Sequence, residues 1–405
     1  MLKVAVIGGG PAGLMTAGTA AKTAKEQGIS AKVTLLDGNN KLGKKLYITG
    51  KGRCNITNTS DDTYDTQDFL NNVVNNKRFL FSSISKFGAS DVISFFENLG
   101  VKLKIERGGR VFPESDKASD ITKALEKYCQ KYGVEILLEH KVNNIADVTS
   151  YDKVVIATGG VSYPSTGSTG SGYEFAKEIG HTIIKPRPAL APIILKGKTP
   201  KRLEGLTLKN VGLKIIRGNQ ELFSDFGEML FTADGVSGPL ALSASSYITR
   251  DYFGSQLQID LKPRLDFATL DKRILADFAK FINKQLKNSL DELLPKRLID
   301  VVIEIADISP EKTCNSVTAI ERERLVSAIK NMSFEIGGID TLDKAIITSG
   351  GVDVSQIDPK TMESKIRKGI YFAGEVIDVD ALTGGYNITI ALSTGYSAGV
   401  GVING

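Results

Sequence analysis

Met1-Leu-Lys-Val-Ala-Val-Ile-Gly-Gly-Gly-Pro-Ala-Gly13 is the stretch on which the fold turns. The apolar run Val4-Ala-Val-Ile7 is the pattern of a strand buried on both faces. It leads straight into Gly8-x-Gly10-x-x-Gly13, and an Ala-rich segment follows up to Gly28, a helix stop. Strand, glycine turn and helix in that order make the phosphate cradle of a dinucleotide-binding βαβ unit. Gly8 allows the tight turn, Gly10 keeps side chains away from a pyrophosphate, and Gly13 lets the helix pack close to the strand. Pro11 and Ala12 open a helix whose free N–H groups attract an anion. A second strand, Lys32–Asp37, ends in a carboxylate 24 residues after Gly13, with Gly38 next. An acid at that distance meets the hydroxyls of an adenosine ribose. The plainer alternative is a strand–turn–helix with glycines for packing alone, and the placement of Asp37 weighs against it.

Working outward, 405 residues favour two or three domains, and 41% apolar content supports large cores. No run approaches the roughly 18 apolar residues of a membrane span. The first strand starts at once, which leaves no room for a leader and predicts a cytoplasmic protein. Cys54, Cys129 and Cys314 are far apart and form no CxxC, so neither a zinc site nor a disulfide relay is expected. With only His140 and His181 present, no metal centre is expected either. The net charge of +5 is unevenly spread: Lys185–Arg217 holds nine basic residues against one acid, Glu204. Such an excess attracts phosphate or is simply a solvated β-surface. The segment has no Phe, Tyr or Trp and so offers no stacking platform for unpaired bases.

Residues 1–188 read as α/β, with a polar stretch at 58–77. After Pro186-Arg-Pro188 the texture changes to a β-rich module over 189–265 and a helical module over 266–335. The α/β texture returns over 336–405, as one nucleotide domain split by an insert would require. Two later segments extend the nucleotide reading. Lys153-Val-Val-Ile156 runs into Ala157-Thr158-Gly159-Gly160, like the turn after a strand in two-dinucleotide-domain flavoproteins. Tyr371-Phe-Ala-Gly374-Glu375-Val-Ile-Asp378 resembles their C-terminal flavin motif. FAD is longer than NAD and needs contact points spread along the chain, so this set points to FAD.

The most distinctive block is Gly43-Lys-Lys-Leu-Tyr-Ile-Thr-Gly-Lys-Gly-Arg-Cys-Asn-Ile-Thr-Asn58. With Ser162-Tyr-Pro164, Gly167-Ser-Thr-Gly-Ser-Gly172, Leu230–Pro239, Gly350–Val354, Thr361–Ser364 and Gly384-Gly-Tyr-Asn-Ile388 it spans nearly the whole chain. The chain thereby resembles the BaiN/RdsA (YhiN-like) family of NAD(P)/FAD-dependent oxidoreductases. The resemblance implies an α/β fold with a Rossmann-like FAD domain made of both chain ends, interrupted by a β-barrel-like and a small helical module. It implies Asp37 on the ribose and Lys44, Lys45, Gly52, Arg53, Cys54 and Asn55 near the cofactor. The backbone at about Val142 would meet adenine. Gly374, Glu375 and the turn Gly385, Tyr386, Asn387, Ile388 would line the ribityl chain and isoalloxazine. Lys51 is a departure, since many relatives carry glycine there.

Flavin brings hydride chemistry, and reduction of a C=C bond also needs a proton donor. Cys54 and Tyr163 are the candidates; Cys54 is equally readable as a small buried residue and Tyr163 as a turn former. Arg53 is read either as holding an anion or flavin edge, or as a structural ion pair. Gly167-x-x-Gly170-x-Gly172 before a helix is either a phosphate loop or a tight structural loop. NAD(P)H as electron donor follows from the resemblance alone. Three functions remain open. The first is a reductase of a small-molecule alkene, as in a branch tied to bile-acid dehydroxylation. The second is an enzyme forming dihydrouridine in large-subunit ribosomal RNA, as in another branch. The third is a flavin-bearing interaction protein with little turnover.

Overall fold

The computed structural model describes residues 1–59 and 65–405; part of the polar stretch 58–77 lies outside the described residues. The chain divides into two units, Met1–Ala189 with Thr341–Gly405, and Leu190–Asp340.

In the first unit, β1 (Leu2–Ile7) is the middle strand of a five-stranded parallel sheet. Its neighbours are β2 (Ala31–Leu36) on one side and Lys153–Ile156 on the other. Glu135–Leu137 continues the sheet beyond β2, and Ile370–Phe372 beyond Lys153–Ile156. The returning end of the chain therefore supplies the last strand. Val4–Val6 are wholly buried, as a parallel strand covered on both faces requires. The connection from β1 runs one way to β2, while the later strand lies on its other side. Ligands bind beyond the carboxyl ends of strands at such a switch point.

α1 (Pro11–Glu26) leaves the glycine turn and packs along the C-terminal helix Tyr386–Asn404. A Cβ on Gly395 would lie 2.5 Å from Ala12 O, and one on Gly399 2.7 Å from Thr16 O. The two helices thus meet backbone to backbone, which fixes the C-terminal segment against the first helix.

The second unit contains a closed six-stranded barrel. Its strands run in the order Ile193–Leu195, Gly235–Ser237, Gln220–Phe231, Thr207–Arg217, Ser255–Asp260 and Met332–Ile339. Antiparallel pairing of Met332–Ile339 with Ile193–Leu195 closes the ring. Leu208, Val211, Leu213 and Ile215 point inward while Lys209 and Lys214 point out, with a bulge between Leu208 and Val211. The helices Phe267–Lys280, Lys296–Ile305 and Ala319–Lys330 lie in sequence between the fifth and sixth strands. Met332–Ile339 crosses the 335/336 boundary drawn from sequence and belongs to the barrel.

Ala319–Lys330 opens on a capping box in which Thr318 and Glu321 bond each other's backbone N–H, while Lys312 holds the Glu321 carboxylate at 2.7 Å. These contacts hold Glu321 down to about 2, against an ordinary 4.5. Its contribution to stability is therefore complete above about pH 4.5 and is lost as pH falls towards 2. The Tm gap between the parent and Glu321→Gln should be widest above pH 5 and close in strong acid.

No helix among the described residues is long and apolar enough to cross a membrane. Nor do the described residues hold a group of three or more His, Cys, Asp or Glu placed to bind a metal.

Candidate functional site

The glycine turn is crowded on two sides and open on the third. Gly8 has φ +109°, and a Cβ there would lie 2.4 Å from Ala157 O. A Cβ on Gly13 would lie 1.8 Å from Gly8 O. Both glycines are demanded by the fold itself. Gly10 differs: its φ of −78° suits any residue, and a Cβ there would meet nothing within 4 Å. It caps α1 with no side-chain hydrogen bond, so the first-turn N–H groups of the helix remain to be used. An open backbone approach to a helix N-terminus is what a pyrophosphate needs.

Asp37 ends β2 and is 9% exposed. Gly9 N donates to its Oδ2 at 2.5 Å and Asn39 N to its Oδ1 at 2.7 Å. A carboxylate has about four acceptor positions, so the two backbone bonds orient it and leave capacity for two hydroxyls. The segment after Leu137 runs alongside: His140 N donates to Asp37 O and Glu139 N to Asn39 O, both at 2.9 Å. Lys141 packs against Gly38, which brings Val142 to the same end of β2.

Glu375 is held from three directions. Lys45 Nζ lies 2.7 and 3.0 Å from its two oxygens, Thr348 N donates at 2.8 Å and Ser162 Oγ at 3.2 Å. Lys45 also donates to Ser162 Oγ at 2.6 Å. These contacts join the Gly43–Asn58 block, the turn after Lys153–Ile156 and the strand Ile347–Val352 to the Gly374 turn. Glu375 therefore serves first as a tie between segments. Gly374 itself has φ +77°, and a Cβ there would lie 2.7 Å from the Ala12 side chain. The late motif thus abuts the start of α1. Neither Ser162 nor Thr348 stood out as a partner in the sequence. Ser162 lies in a quoted motif, whereas Thr348 bonds through its backbone and leaves no sequence signal.

The Gly43–Asn58 block begins as a tight helical segment, Lys44–Gly52, broken at Thr49–Lys51. Gly43 N donates to Gly9 O, so the block starts at the glycine turn. Lys44 is half-buried with no carboxylate partner among the described residues. Lys51 has φ +59°, a left-handed conformation that explains why glycine suits this position. Lys51→Gly should raise stability by about 0.5–1 kcal/mol, read as the shift in denaturation midpoint.

Three further residues of the block have contrasting surroundings. Arg53 donates to Glu106 at 2.7 Å and to Asp116 at 3.4 Å and lies 4.1 Å from the Phe112 ring centre, so it takes part in an ion pair, the second of its two readings. Glu106 accordingly raises its already high pKa. Cys54 is 0% exposed, and burial pushes its thiol up to about 12. This is the environment of a small buried residue, one of the two readings of Cys54, and it keeps the thiol protonated. Asn55 is the opposite case: it is half-buried, and its buried Oδ1 has no partner among the described residues. Gly52 beside it is half-buried.

Ala157, Thr158 and Gly159 follow the strand Lys153–Ile156 directly, and the buried Thr158 Oγ1 also lacks a partner among the described residues. Tyr163 is half-buried with φ +52°, an uncommon strain for an aromatic residue, and its carbonyl accepts from Thr166 N at 2.9 Å. A Cβ on Gly167 would lie 2.4 Å from Asn39 Nδ2, and one on Gly172 2.1 Å from Thr158 Oγ1. These glycines are explained by packing, as a structural loop requires. At the far end, a Cβ on Gly385 would lie 2.5 Å from Thr57 O. Asn387 bonds Ala381 through both its oxygen and its nitrogen, Tyr386 packs edge-on to Phe69 at 5.3 Å, and Ile388 N donates to Gly385 O. Together they fix the N-terminus of the C-terminal helix beside residues 55–58.

The HI0933-like protein Rossmann domain model matches residues 2–401. The chain is 31% identical to a 3-dehydro-bile acid delta(4,6)-reductase of Clostridium scindens, with 98% of each chain covered. It is 31% identical to a ribosomal RNA dihydrouridine synthase of Haemophilus influenzae, over 98% of this chain and 97% of that one. A protein of the same description from Escherichia coli is 30% identical, over 97% and 96%. The chain belongs to the HI0933-like family and is an FAD-dependent oxidoreductase with a Rossmann-type fold.

Proposed function

We propose that this protein reduces a carbon–carbon double bond conjugated to a carbonyl, drawing electrons from NAD(P)H. The open face of Gly10 between the crowded Gly8 and Gly13 carries the cofactor half of this reading. The printed activities of its relatives support the other half: a bile-acid delta(4,6) alkene and the uracil C5=C6 bond are both alkenes activated by a carbonyl.

Bound FAD supplies the hydride. The chain supplies position and charge. The backbone N–H groups of Gly10, Ala12 and Gly13 would hold the pyrophosphate, and Pro11, which has no N–H, starts the helix. Lys44 adds a counter-charge. The two free acceptor positions of Asp37 take the ribose hydroxyls, and the backbone at Val142 meets adenine. Gly374 allows close approach of the ribityl chain, while Glu375, saturated by Lys45, Thr348 and Ser162, holds the surrounding loops. Thr158, Gly159, Gly52 and Asn55 line the middle, and Gly385–Ile388 the ring end, where a helix N-terminus favours developing negative charge.

Hydride addition to the β-carbon leaves an enolate, and a proton must reach the α-carbon. Tyr163 is the better donor, because it retains an open face and Cys54 has none. Tyr163→Phe should lower kcat about 100-fold or more with bound flavin unchanged, while Cys54→Ala keeps kcat within about twofold. Equal losses in both would return Cys54 to the mechanism.

The reading also places the protein in the cytoplasm, in line with three buried, unpaired cysteines. The test is anaerobic. NADH or NADPH should bleach the flavin, and an α,β-unsaturated ketone or a uracil-containing RNA should restore its colour. Flavin that bleaches but is restored by neither acceptor would remove the C=C reading, and flavin that never bleaches would favour an interaction protein. Ribosomal RNA as acceptor is the second reading; mass spectra of that RNA from a deletion strain should then lack one two-dalton reduction.

A further inference from the structure

We infer that RNA phosphates are gripped by one face of a small antiparallel sheet in the first unit, an inference that rests on the ribosomal RNA reading. The sheet comprises Thr57–Asn58, Arg110–Pro113 and Leu103–Glu106. In its register Arg110 faces Glu106 and Phe112 faces Lys104, so these four side chains share one side, with Lys102 continuing the line. Arg53 lies over Phe112 at 4.1 Å and Arg110 reaches the same ring at 5.9 Å.

Two carboxylates hold this set in place. Glu106 takes Arg53 at 2.7 Å and Arg110 at 3.7 Å, and Asp116 takes Lys104 at 2.7 Å. Three cations thus share two anions and keep fixed donors to spare. Lys102 and Arg107 are exposed and have no carboxylate partner among the described residues; the same holds for Lys51 nearby. Guanidinium groups fixed in this way bind phosphate bidentately without first losing side-chain freedom. Phe112 is covered, so the face reads backbone and not bases.

Asn58 Nδ2 donates both to Gly108 O at 3.0 Å, at the hairpin tip beside Arg107, and to Gly384 O at 3.1 Å. The cationic hairpin is therefore tied to the turn that opens the C-terminal helix, the end assigned above to the reacting ring. The Lys185–Arg217 segment offers less than its composition promised. Lys196, Arg202, Lys214 and Arg217 are each paired with their own acid: Glu335, Glu304, Glu221 and Asp251.

The test uses the full-length FAD-loaded protein and a transcript of large-subunit ribosomal RNA, with Kd measured against salt. Lys102→Ala/Arg107→Ala should weaken binding on the order of tenfold and make the log Kd–log salt slope shallower by about 1.4–1.8. Flavin spectrum and bleaching by NAD(P)H should not change. Lys198→Ala/Lys209→Ala should leave the slope as it was. The reverse pattern, loss in the second variant and none in the first, overturns the assigned surface and leaves RNA as acceptor. Absence of any salt-sensitive binding by the unmodified protein ends the RNA reading and the surface with it.

Discussion

Gly10→Ala should abolish FAD retention while leaving the Tm of the apoprotein where it was. The added methyl meets no protein atom within 4 Å and needs no change of backbone, since φ is already −78°. It occupies instead the approach of a pyrophosphate to the backbone N–H groups. The expected loss is on the order of 100-fold in Kd for FAD, or about 2.7 kcal/mol, measured by titrating apoprotein with FAD. Gly13→Ala is the contrasting variant. Its methyl would sit 1.8 Å from Gly8 O, so strand and helix must separate. That should cost about 2–3 kcal/mol of stability before any cofactor is added. If Gly10→Ala binds FAD normally, the cofactor does not lie across this turn, and the roles given to Asp37 and Gly374 go with it.

Breaking the Lys45–Glu375 pair should have the second-largest effect. Lys45→Met leaves a carboxylate about four-fifths buried and without its cation, and Glu375→Ala leaves the lysine without its counter-charge, held only by Ser162, and strands Thr348 N–H. Truncating one partner of a fully buried pair costs about 3–5 kcal/mol. With about a fifth of each side chain still exposed, about 2 kcal/mol is expected here. The double variant Lys45→Met/Glu375→Ala should regain part of it, giving a coupling energy of about 1 kcal/mol in a double-mutant cycle. Losses under 0.5 kcal/mol that simply add would reduce the pair to surface decoration. FAD affinity should fall in step with stability, because the same contacts hold the loops from three parts of the chain.

The turn at Gly8–Gly13 was legible because it is local. Strand burial, the sharp turn and the helix start each follow from residues within one short window, and their spacing has one good structural solution. Asp37 and the Gly374 motif were legible for the same reason, each marking the end of a strand. The division of labour among charged residues was not. Arg53 looked as suited to a cofactor as to an ion pair, and only the register of Leu103–Glu106 against Arg110–Pro113 puts Glu106 within its reach. The barrel's closing strand, Met332–Ile339, carries an alternating pattern but is separated from its first neighbour by more than a hundred residues.

By itself, then, the order of residues determined a nucleotide-binding α/β unit interrupted by an insert, because hydrophobic period, glycine placement and strand-end acids act over a few residues at a time. Tertiary structure alone decided which charges pair with each other. A carboxylate or guanidinium takes its role from whatever lies within about 3 Å of it. For Lys45 and Glu375 that neighbour is 330 positions away along the chain, a distance over which side-chain periodicity carries no information.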